Sequence, residues 1–149
     1  MKATELRIGN YIHFTNILKT EKEVVQVSGR YLANFTREDF EISTYYQPIE
    51  LTEKWLFKFN FKYQDKDINR KDGKLERRYI SPYFGMGKEF YLELCLPDDR
   101  EFKCTWLHWD IGGGSKFIHL PNPRYPNYVH ELQNLYFSLS GEELTLKQE

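Results

Sequence analysis

The chain has 149 residues, a usual length for one domain, and 40% of them are apolar, which is enough to bury one core. Its 21 lysines and arginines against 22 aspartates and glutamates exclude a strong global field that would attract nucleic acid or an anionic membrane. The N-terminal segment has no apolar leader, and no stretch approaches the roughly 20 apolar residues of a membrane span. We therefore expect a cytoplasmic protein with no membrane partner.

Short alternating runs of β-branched and aromatic residues favour strands over helices. Neither a linker nor a repeat divides the sequence, so we expect one domain over residues 1–149. The predicted fold class is α+β. Its parts are a curved N-terminal β-meander (1–47), a short helix (48–61), antiparallel strands (62–126) and a C-terminal amphipathic helix packed on the sheet (127–141).

The meander is predicted from four strand candidates, which are residues 5–14, 23–27, 30–35 and 40–43. A turn or bulge at Gly9-Asn10 interrupts the first of them. The short helix is predicted to begin after Thr52, a residue type that caps helices well, with Glu53 in the first turn where the helix dipole favours an acid.

Residues 63–78 carry charges of both signs and have two interpretations. As a functional element, the basic residues between 66 and 78 would contact phosphate groups of a nucleic acid. As a structural element, the segment is a solvated hairpin with its turn at Asp72-Gly73. Acidic residues interrupt the basic ones, which favours the hairpin.

Two strands are predicted to flank the Pro-Asp-Asp-Arg turn as a hairpin. With a three-residue loop, Leu92 lies opposite Cys104 and Glu93 lies opposite Lys103, which keeps apolar and charged side chains in separate rows. This register places Cys95 and Cys104 on opposite faces of the sheet. We therefore expect no disulfide between them.

The chain shows no complete catalytic or cofactor motif. The glycine-rich stretches 85–88 and 112–116 lead into strands, not into the helix that a phosphate-binding loop requires, and are interpreted as turns. His108 and Asp110 share a strand face, and His119 lies opposite if the glycines close a hairpin, so the three are a candidate metal site. Neither a fourth ligand nor a general base is evident. We expect no catalytic residue, metal or cofactor, with a small metal-dependent enzyme kept as an alternative.

The last element has the clearest pattern in the sequence. It is an amphipathic helix with Asn127 as a cap and Gly141 just past its end, and its apolar stripe is roughly 120° wide. The opposite side carries His130, Gln133, Asn134 and Phe137. A phenylalanine among polar residues does not suit a surface that faces only water. These four residues are the candidate binding site.

Three segments are similar to one group of proteins: ELRIGNYI from residue 5, PIELTEKWLFKF from residue 48 and YVHELQNLYFSLSGEEL from residue 128. The group is common in Bacteroidetes genomes, including their prophages and other mobile elements. The resemblance leaves residues 63–125 uncovered. The group has no assigned activity, so the resemblance implies no catalytic residues.

What the resemblance implies is context, because small proteins of mobile elements are often binding proteins that act on nucleic acid, a host factor or a defence system. We expect a non-enzymatic binding or regulatory protein with a protein partner. The alternative partner is nucleic acid, bound through the meander and the basic segment 66–78.

Overall fold

A computed structural model describes residues 3–16, 21–35, 45–68, 75–85, 89–97, 104–110, 115–120 and 126–148. The chain forms two compact units. The first comprises Met1–Leu51 with Pro126–Glu143, and the second comprises Thr52–Tyr125 with Leu144–Glu149. The organisation as one domain stays a prediction.

The described residues form eight strands and three helices. The strands are β1 (Tyr11–Thr15), β2 (Lys22–Gln26), β3 (Tyr46–Gln47), β4 (Lys62–Ile68), β5 (Leu75–Ile80), β6 (Phe90–Pro97), β7 (Cys104–Asp110) and β8 (Ser115–His119). The helices are α1 (Gly29–Phe35), α2 (Glu53–Lys58) and α3 (Val129–Ser140), and a 3-10 turn occupies Ala3–Glu5.

The first unit contains a three-stranded antiparallel sheet in the order β2-β1-β3. Because β1 is central, the strands do not follow each other as in the predicted meander. The turn predicted at Gly9 is present, and its φ of +94° is one that glycine adopts without strain. Strand β1 begins directly after this turn, and its Ile12 is fully buried.

The strand predicted over residues 30–35 is wrong, because this segment is helix α1. Tyr31 and Phe35 both contact the Tyr46 ring, with centroids 5.8 Å and 4.8 Å away. A spacing of four residues puts two side chains on one side of a helix and also of a strand, so periodicity alone did not separate the two structures. The strand predicted over 40–43 lies outside the described residues.

The second unit contains a five-stranded antiparallel sheet in the order β4-β5-β6-β7-β8. Helix α2 follows Thr52, which occupies the predicted N-cap position although its side chain makes no capping hydrogen bond. From this helix Glu53 Oε1 accepts a hydrogen bond of 2.6 Å from the Tyr79 hydroxyl of β5. Tyr79 is fully buried, and burial raises the pKa of its hydroxyl.

The register predicted for the β6–β7 hairpin is wrong by three residues. Leu92 pairs with Leu107, and Glu93 pairs with Trp106 in place of Lys103. Strand β6 continues through Pro97 and β7 begins at Cys104, so the connection is longer than the assumed three-residue loop. Cys95 and Cys104 are register partners, and their predicted placement on opposite faces is therefore wrong.

The predicted α+β class is confirmed, with two antiparallel sheets and a C-terminal helix packed against a sheet. That helix, α3, contacts β1 through a hydrogen bond from the Tyr11 N–H to Gln133 Oε1. Its N-cap is Tyr128, one residue later than the predicted cap, and Gly141 ends it in the left-handed conformation as predicted. Among the helices in the described part of the chain, none is long and apolar enough to cross a membrane.

Candidate functional site

The structure places the predicted site residue Gln133 in the interior. Its side chain is fully buried. The Gln133 Oε1 atom accepts a 2.8 Å hydrogen bond from the Tyr11 N–H, and its Nε2 donates a 3.0 Å hydrogen bond to the Gly9 carbonyl oxygen. The amide of Gln133 therefore satisfies main-chain groups at the Gly9 turn.

Asn134, the next residue of the helix, contacts the same N-terminal segment through both side chains and main chain. Its Oδ1 accepts hydrogen bonds from Arg7 Nη1 at 3.2 Å and from Asn10 Nδ2 at 3.1 Å, while its Nδ2 donates to the Glu5 carbonyl oxygen at 2.8 Å. The Arg7 guanidinium lies over the Phe137 ring, 3.7 Å from its centroid. This cation–π contact accounts for a phenylalanine among polar residues.

His130 is also buried, and its ring stacks on Tyr128 at a centroid distance of 5.8 Å. Burial lowers the pKa of its imidazole, and the nearby carboxylates of Glu131 and Glu5 oppose this only in part. The four predicted residues thus lie on helix α3, and the side-chain amides of Gln133 and Asn134 form hydrogen bonds with the N-terminal segment. Their role in binding a partner stays a prediction.

The predicted metal ligands are spread across two strands. His108 pairs with Phe117, and His119 pairs with Trp106, so the two histidines share a face diagonally without being opposite each other. The side chain of Asp110 lies outside the described residues. Where side chains are described, no group of three His, Cys, Asp or Glu residues is arranged to hold a metal ion.

The observed register creates a row of aromatic side chains that the predicted register did not contain. Tyr91, His108 and Phe117 are consecutive partners across β6, β7 and β8. Tyr91 and His108 stack with their centroids 4.6 Å apart and their planes 7° apart, and His108 lies 5.7 Å from Phe117. On the same face Trp106 contacts Phe117 edge-on at 5.1 Å. We call the first three residues the aromatic row.

A buried carboxylate lies beside the aromatic row. Glu93 is only 4% exposed, and its Oε2 atom lies 2.9 Å from His108 Nε2. Its other oxygen lies 3.5 Å from Arg78 Nη1 and 3.8 Å from Cys95 Sγ. Burial lowers the pKa of His108, and the Glu93 carboxylate opposes this only in part. The carboxylate of Glu93 thus contacts Arg78 and His108 within the protein, and its oxygens are not accessible to a ligand at the surface.

The aromatic row ends at β8, whose backbone groups alternate in direction. The Leu120 N–H donates to the Thr105 carbonyl oxygen at 2.9 Å, which makes these two residues a hydrogen-bonded pair. Such pairs alternate along an antiparallel ladder with pairs that exchange no hydrogen bond. The N–H and C=O groups of Phe117 and His119 therefore point away from β7. Among the described strands, none pairs with this outer side of β8.

Exposed apolar side chains accompany these outward backbone groups. Phe117 is 59% exposed and Ile118 is 50% exposed, and as neighbours on a strand they project from opposite faces of the sheet. Lys116 and His119 on either side of them are also exposed. The end of the sheet at β8 is thus apolar on both faces. We call Lys116, Phe117, Ile118 and His119, with their outward backbone groups, the β8 edge.

The other edge strand of the same sheet, β4, differs in its charge and in the regularity of its pairing. It carries two lysines and two aspartates over residues 62–67, and its pairing with β5 shifts register between Gln64 and Asp67. Charged residues and bulges are the features by which edge strands avoid pairing with another chain. Strand β8 carries one formal charge, Lys116, and its pairing with β7 shows no register shift.

The two arginines described within the charged segment 63–78 are paired with acids. Arg77 Nη1 lies 3.6 Å from Glu53 Oε2, and Arg78 contacts Glu93. The segment supplies β4 and β5, which pair as an antiparallel hairpin. Residues 69–74, where the turn was predicted, lie outside the described part of the chain.

The chain matches no protein-family model, no curated protein and no solved structure. Sequence reasoning missed the β8 edge. The one local signal for it was the pair Phe117-Ile118, because adjacent apolar residues break the alternation expected of a strand with one face in water.

Proposed function

We propose that this protein is a non-enzymatic binding protein that takes up an extended segment of a protein partner as an additional strand beside β8. The observation that carries the proposal is the β8 edge, where outward N–H and C=O groups lie beside exposed Phe117 and Ile118. In strand addition the main chain supplies affinity, and the side chains on either face supply specificity. We further propose that the protein binds this partner in the cytoplasm.

Nucleic-acid binding is the alternative that the aromatic row raises, because bases stack on exposed rings. The faces of Tyr91 and His108 lie against each other, so a base cannot stack between them. Arg77 and Arg78 are already paired with acids. These contacts favour a peptide over a nucleic acid.

A selection from random peptides tests the proposal. Displayed peptides about ten residues long, the upper length of an ordinary strand, are selected on the wild-type protein and then measured against His119→Pro. Proline at 119 removes an outward N–H and leaves the hydrogen bonds between β7 and β8 in place. We expect roughly fivefold or greater loss of affinity, as for a lost hydrogen bond. Failure to enrich any peptide that distinguishes the two proteins would reject the proposal.

The matched control is Val24→Pro on β2. Val24 is exposed on an edge strand of the other sheet, and the hydrogen bond from the Val27 N–H to the Asn10 carbonyl oxygen places the Val24 N–H outward by the same alternation. The same substitution in the same backbone geometry should therefore leave peptide affinity unchanged. Equal losses in both variants would mean that proline acts through stability and not through the β8 edge.

Amide hydrogen exchange of the wild-type protein gives a second readout that needs no variant. The Ile118 N–H points to β7 and should exchange slowly, whereas those of Phe117 and His119 should exchange fast. A bound peptide should slow exchange at Phe117 and His119. A selected peptide that protects neither amide binds elsewhere. Salt-sensitive binding of a single-stranded oligonucleotide that Phe117→Ala abolishes would support the nucleic-acid alternative instead.

A further inference from the structure

Two rows of side chains run across the sheet and end at the β8 edge, one on each face. On one face the aromatic row ends at Phe117. On the other face Leu92, Leu107 and Ile118 are consecutive partners, and their burial falls from complete at Leu92 to half at Ile118. Cross-strand neighbours are the unit of stabilisation in a sheet, so each row would be continued by an apolar residue on a further strand.

The positions that continue the two rows are adjacent in an added strand. One residue lies opposite Phe117 and the next lies opposite Ile118, because neighbouring residues of a strand alternate between the faces. A partner segment that covers both rows therefore needs two consecutive apolar residues. An ordinary amphipathic strand, which alternates apolar and polar residues, would continue only one row.

The charge of Lys116 favours a particular residue next to the apolar pair in the added strand. Lys116 is exposed, and the β8 edge contains no acid. Lys116 lies on the same face as Ile118, and its register partners on β7 and β6, Trp109 and Phe90, carry no charge. Glu93 lies on the opposite face, buried against His108 and Arg78. An outward-pointing N–H makes Phe117 a hydrogen-bonded position for the added strand, which leaves Lys116 at a non-hydrogen-bonded position where side chains approach most closely. An acidic residue opposite Lys116 is thus favoured.

We propose, on the basis of the function proposed above, that the segment bound at the β8 edge reads apolar–apolar–acidic in an antiparallel addition. Its apolar residues lie opposite Ile118 and Phe117 in that order, and its acid lies opposite Lys116. A second copy of β8 does not meet this requirement, since its only formal charge is another lysine. The occupant is therefore a segment of a different, locally acidic chain.

Defined peptides and a charge reversal test the proposal. A synthetic peptide with Val-Phe-Glu at its centre and a second with Val-Phe-Lys are titrated against the wild-type protein and Lys116→Glu. We expect the acidic peptide to bind the wild type roughly threefold or more tightly than the basic peptide, as for a close cross-strand ion pair. Lys116→Glu should reverse this preference. Because Lys116 is exposed, the variant should fold normally.

The matched control is Lys62→Glu, the same charge change at an exposed position of the opposite edge strand. It should leave the preference for the acidic peptide unchanged. Equal affinities for both peptides in wild type and Lys116→Glu, together with a loss in His119→Pro, would overturn the acidic motif and leave the strand-addition function intact. Failure of both peptides to distinguish wild type from His119→Pro would overturn both proposals. Concentration-dependent dimerisation that His119→Pro abolishes, with no peptide binding, would identify a second copy as the occupant.

Discussion

The polar side of α3 and the β8 edge differ in what their polar groups already do. On α3, Gln133 and Asn134 bond the main chain around the Gly9 turn, so side chains that look available in the sequence are satisfied within the protein. At β8, the outward backbone groups of Phe117 and His119 have no partner among the described strands. Polar groups on a predicted surface therefore indicate a binding site only after their hydrogen bonds have been accounted for.

The largest expected effect compares two residues of the row that ends at Ile118. Leu92→Ala should cost about 2–5 kcal/mol of unfolding free energy because Leu92 is fully buried. Ile118→Ala, at the exposed end, should cost about 1 kcal/mol or less. Urea unfolding measures both. Equal costs would mean that Ile118 lies in a closed core and that the β8 edge is not open.

The second comparison is made within α3. Gln133→Ala should cost about 2–3 kcal/mol, because it empties a fully buried position and leaves the part-buried N–H of Tyr11 and carbonyl of Gly9 without their partner. Phe137→Ala should cost about 1 kcal/mol, since the ring is 37% exposed and its removal ends the cation–π contact with the Arg7 guanidinium.

Leu132→Ala, a fully buried position of the same helix, gives the scale for a core residue at about 2–5 kcal/mol. A loss at Phe137 as large as that at Leu132 would place Phe137 in the core. The prediction that it contributes to a binding surface would then fail.

A smaller effect concerns acid sensitivity. Burial lowers the pKa of His130 in the folded protein, so the unfolded chain binds a proton at pH values where the folded chain does not. Stability should therefore fall as the pH drops below the ordinary value of 6.5. His130→Phe should flatten this dependence in part, since the pKa values of His13 and His108 are lowered as well. Unfolding midpoints on both sides of that pH measure it, and an unchanged slope would contradict the buried placement.

The smallest effect on stability is expected from a change that makes β8 resemble β4. Phe117→Lys should alter the unfolding free energy by about 0.5 kcal/mol or less, because the side chain is largely exposed. It should nevertheless weaken peptide binding and slow aggregation at elevated temperature, as an added charge does on an edge strand. A strong destabilisation would show that Phe117 is packed and would remove the contrast between the two edges.

The elements that the sequence predicted well are those with a strong local signal. Gly141 ends α3 because a positive φ suits glycine there, and Thr52 precedes α2 in an extended conformation. Most strands of the second sheet were found from runs of aromatic and β-branched residues. Helix α1 was missed because Tyr31 and Phe35 fit both periodicities, whereas the hydrogen bond that distinguishes a helix, from the Leu32 N–H to the Ser28 carbonyl oxygen, is seen only in the structure.

The candidate site could not be found in the same way, because it depends on register. Relative to β6, an odd shift of three residues moves every side chain of β7 to the other face of the sheet, and this brings His108 beside Tyr91 and Glu93. The sequence pattern favoured pairing Glu93 with Lys103 because their charges are opposite. In the structure the connection between β6 and β7 is longer than three residues, and Glu93 pairs with Trp106 instead. The register depends on how two strands pair, so the residue pattern of one strand does not determine it.

The sequence by itself determined the α+β class, the existence of the C-terminal helix and the residues on its polar side, because these follow from composition and from the period of apolar residues. Only the tertiary structure decided that Gln133 hydrogen-bonds the main chain at the Gly9 turn and that Phe117 ends a row at an edge with which no described strand pairs. Both outcomes depend on which main-chain groups meet across long separations in the chain. A hydrogen bond between two distant segments cannot be recognised from the sequence of either segment alone.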